Sequence, residues 1–462
     1  MTTNAMQTSW LQELQASVRL GSPLILTNLA QIALLTTNVI YIGHLGKEQL
    51  ASATLAGGMY QACMIFSLGL LSAIIPMLAT TLGKDRQNKH AIRTIIHHGF
   101  YTAILVCLPF WILLWNSESI LLMLGQTPEA AALAGHYMHS LQWALLPYLF
   151  YLVLRSLLAA YERPLWTLLI ATLAILLNAA LGWLLIFGNF GLPALGIAGA
   201  GISSVLSSLF MFVGMLVVAH KHPEFSFLQL RAHRWTFQPA LQWEILKLGF
   251  PIAITFTLET MVFYAAVIMM GLIGSTSLAA HAITMQICTI TYMFPLGFGQ
   301  VATIRVGLAN GRADPRAAVR AGWAAYGLGV SCMAIAAILM WGMPEQLIRF
   351  FINIHAPENR AVIITATHFI FFAALFQLTD GAQAVAAGML RGLYDTRTPM
   401  LLALIGYWLI GVPIGAWLAF GLDMEGVGIW IGLVCGLTVV AILMTMRWYR
   451  YSQRLLARQH VR

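Results

Sequence analysis

The chain has 462 residues and a formal charge of +9, and only 9% of its residues are charged against 60% apolar. Soluble domains carry about 25% charged residues, so a mean hydropathy of +0.80 over this length excludes a soluble enzyme and makes lipid the solvent of most of the surface. The basic balance does not call for a nucleic acid, because Lys and Arg gather on the cytoplasmic side of membrane proteins without any polyanion.

In residues 1–19, Trp10, Leu11, Leu14 and Val18 recur at helical spacing among Gln12, Glu13 and Gln15. That reads as an interfacial helix, since the unbroken apolar core of a cleaved signal peptide is missing. Charge-free windows long enough for one spanning helix follow from Arg19 to Lys47, Glu48 to Lys84, Arg93 to Glu118 and Glu129 to Arg155. The run from Arg163 to Lys221 holds two spans, broken at Gly188, Gly191 and Pro193. After a polar stretch with His220, Lys221, His222, Pro223, Arg231, His233 and Arg234, the run from Lys247 to Arg305 holds two more, split at 271–277. Further windows lie from Arg320 to Glu345, over 362–388, from Arg397 to Asp423 and from Glu425 to Arg447. Twelve spans result. With a cytoplasmic N-terminus, only Lys47, Arg349 and Arg360 of the 25 Lys and Arg fall outside, so both termini are expected in the cytoplasm.

Laying residues 20–83 on residues 248–311 without a gap brings together Gly21/Gly249, Pro23/Pro251, Gly43/Gly271, Gly46/Gly274, Gly69/Gly297 and Gly83/Gly311. The chain is a duplication. Six spans per half give both halves the same polarity, related by an axis along the membrane normal. The expected fold is an all-α polytopic membrane protein, with twelve transmembrane helices in two pseudo-symmetric six-helix bundles. Residues 1–219 form the N-lobe, with helices 1–6 and the interfacial segment. Residues 220–245 form a cytoplasmic inter-lobe linker, and residues 246–462 the C-lobe, with helices 7–12 and a basic tail. Two halves that rock about a site near the midplane suit a transporter; a channel is more often built from symmetric subunits.

Two acids lie at depth, Glu259 and Asp380. A carboxylate at a helix centre costs about 2.5–3.5 kcal/mol on insertion scales, so such residues face a protein interior or a wet cavity. Either they pair with buried polar groups, or they exchange a proton, bind Na⁺ and attract a cationic substrate. Competition of two cations for one carboxylate supplies antiport. In the repeat, Gln31 stands opposite Glu259, and the first half offers only neutral groups at depth, among them Asn28, Gln31, Asn38 and Asn178. The candidate cavity residues are Asn38, Asn178, Thr255, Phe263, Met285, Tyr292 and Gln383; Phe256 and Tyr264 extend the adaptable apolar wall. His281 and His368 are further titratable candidates. Cys63, Cys107, Cys288, Cys332 and Cys435 read as core hydrophobes without metal or redox spacing. Gly428, Gly432 and Gly436 make a smooth helix face. No Lys or Arg is found at depth. That argues against the anionic cargo of a lipid-linked oligosaccharide flippase, the first alternative; an intramembrane enzyme using Glu259 and Asp380 as acid and base is the second.

The segment Arg305-Val306-Gly307 to Gly311 resembles the R-V-G-x-x-x-G signature of multidrug and toxic compound extrusion (MATE) transporters. Thr379-Asp380-Gly381-Ala382-Gln383, with Leu390-Arg391-Gly392 and Asp395-Thr396-Arg397, is similar to the tenth-helix pattern of the NorM-type bacterial branch, and Glu259 stands where that branch carries its seventh-helix acid. The resemblance covers essentially the whole chain. It implies no enzyme but an inner-membrane multidrug antiporter, monomeric and without a cofactor, that expels small cationic drugs and dyes against inward H⁺ or Na⁺. Glu259 and Asp380 are the implied cation-coupling pair, and the implied metal ligands if Na⁺ is the ion. Two departures stand out. Asn38, in Thr37-Asn38-Val39-Ile40-Tyr41-Ile42-Gly43, replaces the first-helix Asp of the branch, and Phe376 stands where some relatives have Tyr. Both point to H⁺ coupling through the C-lobe.

Overall fold

The computed structural model describes residues 9–191, 193–228 and 236–457. The expectations on Arg231, His233 and Arg234 of the linker, on Arg458 and Arg462 of the tail and on residues 1–8 lie outside the described residues. All regular structure among the described residues is helical. Among these residues twelve helical segments are long and apolar enough to cross a membrane: α1 (Trp10–Gly43), α2 (Lys47–Lys84), α3 (Lys89–Trp115), α4 (Pro128–Ala160), α5 (Leu165–Phe187), α6 (Ile197–Lys221), α7 (Pro239–Ile273), α8 (Ser275–Gly311), α9 (Pro315–Gly342), α10 (Pro357–Gly392), α11 (Arg397–Gly421) and α12 (Glu425–Ala457). In lipid every backbone N–H and C=O must be satisfied within the segment, which leaves the helix as the spanning form for such sequences.

Local chemistry sets the helix starts. Asn88 Oδ1 accepts the Ala91 N–H at 3.1 Å, Thr127 Oγ1 that of Ala130 at 3.4 Å, and Asp314 Oδ1 that of Ala317 at 3.0 Å. Each side chain satisfies a donor that the first turn leaves open, and Pro128 and Pro315 occupy first-turn positions where no donor is lost. The turns before α2 and α8 are equivalent by sequence and by conformation. Gly46 has φ 138 and ψ 168, Gly274 has φ 153 and ψ 167, values that a side chain disfavours. The duplication is therefore visible in the backbone.

The chain folds as two compact units. One comprises the residues up to Ile25 together with those from Ile254 on; the other comprises Leu26–Ala253. Helices α1 and α7 each contribute to both, and the division falls two residues after Pro23 in α1 and Pro251 in α7. Proline removes one hydrogen bond of the helix and loosens it there.

Glycines seat each of these helix starts in its unit. In the first unit a Cβ on Gly21 would lie 3.0 Å from Phe298, and one on Gly297 2.4 Å from Ile25. In the other, a Cβ on Gly249 would lie 2.2 Å from the Leu70 carbonyl oxygen, and one on Gly69 2.5 Å from the Ala253 Cα. These four contacts are two repeat-related pairs, Gly21–Phe298 with Gly249–Leu70 and Gly297–Ile25 with Gly69–Ala253. Small residues let helix backbones approach where lipid gives no hydrophobic drive for association. The Gly428, Gly432, Gly436 face works in the same way: a Cβ on Gly432 would lie 2.4 Å from the Gly415 Cα of α11.

Candidate cation-coupling site

The first unit holds both intramembrane acids. On α7, Thr255, Glu259 and Phe263 follow at intervals of four, which places them on one helix face. On α10, Phe376, Asp380 and Gln383 share a face by the same rule. Helix α8 ties the two together. Its Tyr292 hydroxyl donates to Glu259 Oε1 at 3.4 Å, and the adjacent Thr291 hydroxyl accepts from Gln377 Nε2 at 2.6 Å, three residues from Asp380. The α8–α10 contact is close because both sides are glycine: a Cβ on Gly388 would lie 2.2 Å from the Gly299 carbonyl oxygen, and Thr303 Oγ1 donates to Gly388 O at 2.9 Å.

Asp380 is 3% exposed. Its Oδ1 has no hydrogen-bond partner among the described residues, and the same holds for Gln377 Oε1, Gln383 Oε1 and the Tyr407 hydroxyl. Buried polar atoms are nearly always bonded, so an unpartnered carboxyl oxygen with two unpartnered amide oxygens on the same helix marks groups kept available for something that binds. Rings close one side: Phe263 meets Phe376 edge-on at 6.0 Å, and Phe376 meets Trp430 at 5.8 Å.

The structure thus brings Glu259 to Tyr292 and Phe263 to Phe376, while Met285 is half-buried two turns before Tyr292 on α8. Tyr264 is exposed. Of the two histidines, His281 is buried with its ring 5.4 Å from that of Trp430, whereas His368 is exposed. Sequence reasoning gave Arg391 no part in the site, since it falls past the span over 362–388. It lies in the last turn of α10 with its guanidinium 5.4 Å from the ring centre of Phe256, three residues before Glu259 on α7. Gln377, Tyr407 and Trp430 were also missed, since neutral residues in an apolar stretch give no signal.

Asn38 and Asn178 lie in the other unit and bond to each other. Asn178 Nδ2 donates to Asn38 Oδ1 at 2.8 Å, Asn38 Nδ2 to Ser204 Oγ at 2.8 Å, and Ser207 Oγ to Asn178 Oδ1 at 3.2 Å. This neutral chain links α1, α5 and α6, and both amides are buried. The reading that no arginine lies at depth does not hold in this unit. Arg155 is 7% exposed and donates through Nη2 to Asn28 Oδ1 at 2.6 Å. Charge counting cannot tell such a residue from a loop arginine.

Twelve spans in two six-helix halves define a multi-pass membrane transporter. The MatE family profile matches residues 23–184 and 251–417, once in each half. The chain belongs to the MatE family, the MATE transporters. A probable multidrug resistance protein NorM of Brucella suis biovar 1 is 53% identical over 442 residues, spanning 96% of this chain and 94% of the relative. One of Mesorhizobium japonicum is 48% identical over 441 residues, with the same coverage of 96% and 94%. Among solved structures, the eukaryotic MATE transporter AtDTX14 superposes with a TM-score of 0.84 at 23% identity, covering 97% of this chain and 99% of that one. An outward-facing MATE family transporter of the MOP superfamily gives 0.86 at 17%, covering 99% and 100%. At such identities the structures bear on the fold alone.

Proposed function

We propose that this protein is a multidrug efflux antiporter of the bacterial inner membrane, with both termini cytoplasmic, that expels cationic amphiphilic compounds by alternating access in exchange for inward H⁺. The relatives named as multidrug resistance proteins support the drug cargo. The observation that carries the coupling is Asp380, a buried carboxyl whose Oδ1 has no hydrogen-bond partner among the described residues, in the same unit as Glu259. Two carboxyls that repel one another in a low-dielectric interior favour taking up a cation, and a proton and a cationic drug compete for that place. The aromatic side formed by Phe263 and Phe376 suits the apolar part of such a cargo.

The oxygens of Asp380, Gln377 and Gln383 that lack a partner among the described residues are hard donors and would fit Na⁺ as well as a proton. Phe376 offers no further oxygen, which favours H⁺. The driving force is adequate: one inward charge yields about 2.3 kcal/mol per 100 mV and one pH unit about 1.4, enough for roughly two to three decades of cargo gradient. The test is dye efflux from proteoliposomes with pH and Na⁺ gradients imposed separately. Uphill efflux is expected with the pH step alone; efflux driven only by Na⁺ would replace the proton, and efflux with neither gradient would remove antiport.

A further inference from the structure

A concavity lies in the same unit, between α9, α10 and α12. It is a groove of about 480 Å³, walled by Trp323, Tyr326, Ala382, Thr445, Met446 and Tyr449, with Thr379 and Thr438. We propose that this groove binds one acyl chain of an anionic phospholipid, whose phosphate is held by Arg316 and Arg450.

Three features lead there. Four of the five wall hydroxyls are already engaged, all but that of the half-exposed Tyr449: Thr379 Oγ1 donates to Phe376 O at 2.9 Å, Thr438 Oγ1 to Val434 O at 2.6 Å, and Tyr326 and Thr445 share a bond at 3.2 Å. The wall therefore presents hydrocarbon and ring faces to an occupant and little that would hold water. No carboxylate lines the groove, so it lacks the feature that selects a cationic drug. Its rim is open to the outside of the unit, since Ile442, Met446 and Tyr449 are 52%, 44% and 55% exposed on a spanning helix.

The position fits a lipid standing upright. Trp323 is eight residues from the start of α9 at Pro315, and Tyr449 eight residues from the end of α12 at Ala457. At 1.5 Å per residue each lies about 12 Å inside its helix end, near the depth where Trp and Tyr settle at the boundary of headgroup and acyl chain. That end of the groove is basic. Arg316 precedes Trp323 by two helical turns on the same face, Arg450 follows Met446 by one turn, and both are exposed. The neighbouring acids are occupied, Asp395 by Arg447 at 3.0 Å and Asp314 as the cap of α9. Each guanidinium near an anionic headgroup favours binding.

The full chain in a neutral detergent is titrated with dioleoyl phosphatidylglycerol and, separately, dioleoyl phosphatidylcholine, and bound lipid is counted by native mass spectrometry. Phosphatidylglycerol is expected to bind about tenfold or more tighter, the order that two such charges supply. Arg316→Gln with Arg450→Gln should bring it down to the level of phosphatidylcholine. Ala382→Trp, and independently Ile442→Trp at the exposed rim, should displace both lipids by filling the groove; the rim variant keeps the test informative if the other does not fold. Equal binding of the two lipids by the wild type, or an unchanged preference in the double arginine variant, overturns the headgroup assignment. Undiminished lipid on the folded tryptophan variants overturns the groove.

Discussion

Glu13 and Arg305 form a two-bond fork across 292 residues of sequence: Arg305 Nε donates to Glu13 Oε1 at 2.8 Å and Nη2 to Oε2 at 2.7 Å, with Glu13 only 3% exposed. Paired bonds of this kind fix orientation as well as distance. The arginine of the R-V-G segment in α8 thus holds the first turn of α1 within the unit that also carries Glu259 and Asp380.

Removing one partner should therefore destabilise the protein. Glu13→Ala is expected to cost about 1.5–3 kcal/mol, the range for charged hydrogen bonds, read as a lower midpoint of thermal unfolding in detergent. Exchanging the two residues, Glu13→Arg with Arg305→Glu, should recover part of that loss. A double variant that simply adds the two single losses would show that the pair does not act as a unit.

Glu259→Gln and Asp380→Asn should each abolish pH-driven dye efflux while the protein still inserts and elutes as a folded species. Both substitutions keep shape and hydrogen-bonding capacity and remove only the exchangeable charge. Uphill efflux retained in both would take these residues out of the coupling.

Asn38 should behave as a structural link. Asn38→Leu leaves the Asn178 amide without its acceptor and should lower stability by about 1–3 kcal/mol. Asn38→Asp should be tolerated better, because a carboxyl can accept from Asn178 and exchange a hydrogen bond with the Ser204 hydroxyl in either protonation state. Thermal unfolding of the two variants side by side decides this; equal losses would count against the link.

His98 anchors the start of α7. Its Nε2 accepts the Gln238 N–H at 2.9 Å, its Nδ1 lies 2.8 Å from Thr94 O, and the Phe237 ring stacks on it at 5.7 Å. The tautomer with hydrogen on Nδ1 satisfies both bonds. His98→Phe keeps the ring contact and loses the acceptor, so hydrogen exchange at the Gln238 amide should quicken by about tenfold, the effect of losing one typical hydrogen bond. Unchanged exchange would mean that other contacts hold this helix start.

Much of the candidate site could be read from residue order. A carboxyl stands out in an apolar run because its transfer into lipid is so unfavourable, which is why Glu259 and Asp380 were found and Gln377, Tyr407 and Trp430 were not. For a related reason neither Arg155, which bounds a charge-free window, nor Arg391, which falls just past the span over 362–388, stands out. Near a span end, a charge that reaches water and one that turns inward to Phe256 or Asn28 look alike in a linear pattern.

Span count, duplication and the paired turns at Gly46 and Gly274 follow from composition and spacing alone, because crossing a bilayer constrains each segment separately through its length, apolarity and flanking charge. Which helices touch is another matter. Lipid solvates every apolar face equally well, so hydropathy does not say that the first turns of α1 join α8 through Glu13 and Gly21, or that those of α7 join α2 through Gly249. Those choices rest on shape and on a few directional bonds between residues hundreds of positions apart, and they appear only once the chain is packed.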